Sequence, residues 1–128
     1  MTNEKMNEKL DQIFKEVREV RQCGAREYSH SGLGAFDNFQ RTAAVLDLSP
    51  VKALLVLLLK HIDGICAYAK GHISQREDVR GRIKDAICYL CLLRGMIDES
   101  ALSESTAFDS KWEEELSDTS DDYAAKLD

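Results

Sequence analysis

The stretch SPVKALLVLLLKHIDGICAYAK, beginning at Ser49, constrains the fold of this chain more than any other. It opens with a serine suited to capping a helix and a proline suited to its first turn. At ~100° per residue, Val51, Leu54, Leu55, Leu58, Ile62, Ile65 and Ala69 form one apolar stripe. Val56, Leu57 and Leu59 carry apolar character around the rest of the first half. Such a helix needs protein on most of its sides, so the pattern predicts a central helix running to about Lys70 and stopping at Gly71.

Other segments repeat the helical period. Met6, Leu10, Ile13, Phe14, Val17 and Val20 predict one amphipathic helix with one buried stripe over about residues 3–22. The glycine-bearing stretch QCGAREYSHSGLGAF reads as a loop. Phe36, Phe39, Ala43 and Leu46 predict a shorter helix over about 35–47, with Phe36 and Phe39 in the core. Ser74 and Glu77 fit a capping box opening a helix over about 75–98. Its core stripe is Val79, Ile83, Ala86, Leu90, Leu93 and Ile97, with Tyr89, Leu92 and Met96 as a second apolar flank. With one proline and seven glycines there is little turn chemistry for strands. The expected fold is all-α: four main helices in a bundle over 1–98, followed by an acidic tail over 99–128. Two helices carrying more apolar surface than a lone bundle covers predict a homo-oligomer.

The net charge of −6 is unevenly spread. Residues 99–128 hold ten acids against Lys111 and Lys126, leaving 13 acids and 15 bases in residues 1–98. A mildly basic body and an acidic tail predict no duplex nucleic-acid binding. Within the tail, Phe108, Trp112 and Leu116 are spaced for a short helix around 105–116. That tail is either docked, disordered, or a surface for a protein partner. No run reaches the ~20 apolar residues that cross a bilayer, and MTNEKMNEKL has no apolar signal core. The four cysteines then read as reduced thiols in a cytoplasmic chain, bound to no membrane. Cys88 and Cys91 form a mid-helix CxxC with no second ligand pair, and read as thiols rather than as a metal or redox site.

Lys60, His61 and Asp63 interrupt the leucines of the central helix, where unpaired charge is costly. His61, beside the apolar stripe, reads as a packed histidine. On the fourth helix Arg82, Asp85 and Tyr89 share a flank at spacings of three and four. If the two helices pack antiparallel, Asp63 and Asp85 approach each other, with Lys60 and Arg82 beside them. Such a group is either a set of interhelical salt bridges or a site for a divalent cation and phosphates. In REYSHSGLGAFDNFQR, Tyr28 offers an aromatic face and Asn38 an amide able to read a base edge.

Three pieces in this order, REYSHSGLGAFDNF, LLLKHIDGI and GRIKDAICYLCLL, resemble the small MazG-like, nucleotide-modification-associated proteins common in bacteriophage genomes. The resemblance spans roughly residues 4–98. It implies an all-α fold related to nucleoside triphosphate pyrophosphohydrolases, assembled as a dimer or tetramer in the host cytoplasm, with Mg²⁺ held by carboxylates. Carried over by position, Asp63 and Asp85 match the metal-side acids, and Lys60 matches a phosphate-side cation. Glu27, Tyr28 and Asn38 match the loop patch; Arg82 and Tyr89 flank the pocket. Active pyrophosphohydrolases use an ExxE and an ExxD, whereas Lys60 and Arg82 stand where two of those acids belong. Hydrolysis and binding without turnover both stay open, as does a protein–protein role through the tail.

Overall fold

A computed structural model of the chain describes residues 1–28, 34–72 and 76–125, with side chains over 1–27, 34–72 and 76–104. The fold is all-α. Four helices follow in order, α1 (Asn3–Tyr28), α2 (Asp37–Leu46), α3 (Pro50–Ala69) and α4 (Val79–Ala125), and the described residues contain no strand. The chain divides into two units, Met1–Arg94 and Gly95–Asp128. Among the described residues no single helix is long and apolar enough to cross a membrane.

The start of α3 follows from its sequence. Ser49 Oγ accepts from the Lys52 N–H at 3.2 Å, and Pro50 occupies the first turn. Asp47 adopts a left-handed φ of 54°, which aspartate tolerates, and closes α2. The chain then bends by 100° into α3. At the other end Gly71, at φ 90°, follows the last turn of α3.

Other boundaries moved. Gln22–Tyr28 continues α1 rather than forming a loop. Gly24 costs a helix only ~1 kcal/mol, and Ala25, Arg26 and Glu27 favour the helical state. The proposed Ser74–Glu77 capping box falls partly outside the described residues. At the described start of α4, Asp78 Oδ1 accepts from the Arg80 N–H at 2.7 Å, as an N-cap aspartate does. That helix does not end near Asp98. No glycine or proline follows Gly95, so nothing in the backbone chemistry halts it before Ala125.

The core of the first unit is small. Val17, Phe39, Ala43, Ala53, Leu54, Leu58, Ala86 and Cys88 are its buried apolar residues, with His61 the buried polar one. Three expectations of burial fail here. On α1 only Val17 is buried, whereas Met6, Leu10 and Phe14 are exposed. The central helix α3 is not surrounded: Leu55, Val56, Leu59 and Ile62 face outward. On α4 the expected stripe leaves Ile83 and Leu90 exposed, and the face carrying Asp85 and Tyr89 turns inward. Among the described residues of the first unit, no element covers the outer side of α3.

Candidate functional site

The site grows from the contact between α3 and α4. His61 Nδ1 lies 3.7 Å from Asp85 Oδ2, and Gly64 lies against Arg82. Rising numbers on one helix meet falling numbers on the other, so the two run antiparallel. Residues three apart on each helix, His61 with Gly64 and Arg82 with Asp85, therefore meet as pairs. A Cβ at Gly64 would sit 2.6 Å from Arg82 Nε, so glycine is what lets the arginine lie flat on α3. The Arg82 side chain is largely buried, with Nη1 3.8 Å from Glu77 Oε2.

Beside His61 and Asp85 lies a cavity of about 460 Å³. Tyr89, one turn beyond Asp85, leans on the His61 ring at a centroid distance of 5.5 Å. Phe39 of α2 meets Tyr89 edge-on at 6.0 Å. Lys60 and Asn38 line the same space, and α1 closes it with Arg21 and Gly24. A Glu16–Lys84 ion pair at 3.4 Å ties α1 to α4 at one side.

The electrostatics are mixed. Arg21 and Lys60 bring positive charge and Asp85 negative charge to one half-apolar space. Two buried polar atoms, His61 Nδ1 and Arg82 Nε, have no hydrogen-bond partner among the described residues. The separation of 3.7 Å is too long for a hydrogen bond from His61 to Asp85. A buried polar group left unmet costs ~1–3 kcal/mol, so each is a place where a ligand, water or ion gains binding energy.

Burial in this wall pushes the Cys88 thiol above its usual range, with Cys91 and Asp85 adding to the rise and Arg21 opposing it. A raised thiol holds less thiolate at any given pH and reacts more slowly. Iodoacetamide at mildly alkaline pH is therefore expected to alkylate the exposed Cys23, Cys66 and Cys91 first, and Cys88 at least about tenfold later. Peptide mass spectrometry over time reads this directly. Equal rates at Cys88 and Cys91 would contradict a closed wall.

Of the residues singled out in the sequence, Asn38, Lys60, Asp85 and Tyr89 come together at the cavity. Arg82 lies against Gly64 and is not among the residues lining the cavity. Asp63 is exposed and is not among the cavity-lining residues. It lies ~200° around the helix from His61, so the register that brings His61 to Asp85 turns Asp63 outward. Glu27 is exposed and lines a separate groove with Glu16, Glu19 and Lys84. Tyr28 ends α1, and its side chain lies outside those described. Sequence reasoning missed His61, Arg21 and Glu77. The available signal was HxxG on α3 against RxxD on α4, a matched spacing of three on two adjacent helices.

Of the two acids expected to hold Mg²⁺, Asp85 lines the cavity and Asp63 does not. The donors that converge are His61, Glu77 and Asp85, one nitrogen and two carboxylates, whereas Mg²⁺ favours oxygen alone. Comparison of the chain with protein-family models, curated proteins and solved structures finds no match.

Proposed function

We propose that the first unit binds a nucleotide in the cavity lined by Asn38, Phe39, Lys60, His61, Asp85 and Tyr89. The observation carrying this reading is the convergence of two cations, Arg21 and Lys60, with two aromatic rings and an amide on one space of ligand size. Lys60 and Arg21 meet phosphate oxygens, and Arg21 offers them a planar fork. Tyr89 supplies aromatic surface for a base, with the buried Phe39 packed edge-on against it, and Asn38 a donor and acceptor for its edge. Binding is the part of the function this geometry supports best. Hydrolysis of the bound nucleotide and simple sequestration are the two courses that can follow.

A thermal-shift titration with linear and cyclic nucleotides, each with and without Mg²⁺, tests the reading. A nucleotide at 100 times its Kd is expected to stabilise the fold by about 2.7 kcal/mol. Lys60→Met should remove most of that shift, because the exposed lysine contributes to the ligand rather than to the core. Pyrophosphate release from a bound triphosphate would make the protein a hydrolase; a shift without turnover would make it a binder. If no nucleotide moves the melting temperature, the proposal is wrong.

We also propose that a second copy of the chain covers the outer face of α3. Leu55, Leu59, Ile62 and Cys66 are exposed at steps of four, three and four. That is the spacing of a coiled-coil seam, and a seam can pack against its own copy across a two-fold axis.

A further inference from the structure

We infer that His61 Nδ1, a carboxylate oxygen of Asp85 and one of Glu77 form a three-ligand site for a divalent first-row transition metal ion. The three donor atoms come from α3, from α4 and from the segment just before α4, and all lie within 4.8 Å of one another. His61 is only 8% exposed, and its unpartnered Nδ1 points toward Asp85. Donors around a tetrahedral ion bound at about 2.0–2.1 Å stand roughly 3.4 Å apart. The His61–Asp85 separation of 3.7 Å is close to that edge. The protein has thus brought a nitrogen and an oxygen to ligand spacing without joining them by a hydrogen bond.

The donor set selects the class of ion. One imidazole and two carboxylates suit Mn²⁺, Fe²⁺, Co²⁺ or Zn²⁺, whereas Mg²⁺ and Ca²⁺ favour oxygen throughout. Three protein ligands leave at least one coordination position open to water or a ligand oxygen. Access is available, since the side chain of Asp85 is 34% exposed and that of Glu77 54%. Arg82 also approaches Glu77, at 3.8 Å, but a carboxylate has two oxygens and can serve the arginine with one and the ion with the other. The two acids stand among cations, Arg82 beside Glu77 and Arg21 and Lys60 along the cavity that Asp85 lines, so ion binding rests on direct coordination and not on a net negative charge.

Mn²⁺ is the probe of choice, because the exposed Cys23, Cys66 and Cys91 are poor ligands for it. Titration of the full chain, with free Mn²⁺ followed by electron paramagnetic resonance, is expected to saturate at one ion per chain. His61→Ala and Asp85→Asn should each weaken binding by at least about 100-fold, the upper end of what losing even an outer partner of a ligand costs. Glu77→Gln alters an exposed side chain, so it keeps the test decisive where His61→Ala loosens the core. Asp11→Asn, on the exposed face of α1, should bind as the parent does. Absence of saturable binding, parent-like affinity in the His61→Ala and Glu77→Gln proteins, or displacement by equimolar Mg²⁺ would overturn the assignment. Ion binding here depends only on the three donors. A protein that binds Mn²⁺ and no nucleotide refutes the nucleotide proposal alone; one that binds nucleotide and no Mn²⁺ refutes the metal site alone.

Discussion

Leu54→Ala is expected to destabilise the first unit by about 2–5 kcal/mol, the cost of removing a large aliphatic side chain from a closed core. Leu54 is 0% exposed and, with Phe39, is one of the two largest fully buried side chains. The other buried residues of the core include the small Ala43, Ala53 and Ala86, which have no long side chain to refill a vacated space. Domains of this size have roughly 5–15 kcal/mol of stability in all, so the loss takes a large share. For a unit of about 94 residues, each kcal/mol moves the melting temperature by roughly 4–8 °C, giving an expected fall of about 8–40 °C. Urea titration followed by circular dichroism would measure it, at more than one protein concentration. A loss below about 1 kcal/mol would mean that Leu54 is not at the centre of the core.

Five residues along the same helix, Leu59→Glu is expected to act on assembly and leave the fold of each copy in place. Leu59 is 57% exposed, and Leu55, Val56 and Ile62 extend the apolar surface on either side of it. A glutamate there meets water in a lone chain but must be desolvated at a seam between copies. Light scattering on the parent chain should give a mass at least twice the 14.4 kDa of one copy. The variant should return to the single-chain mass with its helicity retained. A parent chain that runs as a monomer at high concentration would remove the proposed seam. The contrast with Leu54→Ala is physical: one leucine loses contacts within its own chain, and the other gains an unpaired charge where a second chain would pack.

How much of this was legible in the sequence varies from element to element. The start of α3 was fully legible, because Ser49 and Pro50 act through local backbone geometry that needs no tertiary partner. So was the all-α class, since period-3.6 apolar spacing recurs in every segment and turn residues are scarce. The end of α4 was not. The acidic, serine-rich composition after Asp98 resembles a solvated tail, yet its backbone meets no helix breaker as far as Ala125. The inward face of α4 was read in part. Apolar residues occupy two flanks of that helix, so periodicity alone offered two answers for its core stripe, while the flank with Arg82 and Asp85 was expected to meet α3 and does.

The candidate site divides along the same line. Asp85, Lys60, Asn38 and Tyr89 were visible as polar or aromatic residues set in apolar helices, and the cavity gathers all four. His61 and Asp63 were equally visible, two residues apart, and composition alone gave no reason to prefer the histidine. By itself the sequence determined that α3 is a helix, where it begins, and that charged or polar groups interrupt its apolar surface, because those properties belong to single residues and their near neighbours. Only the tertiary structure decided that His61 rather than Asp63 meets Asp85. The antiparallel register of α3 against α4 selects one helical face, and two positions ~200° apart on a helix cannot share it.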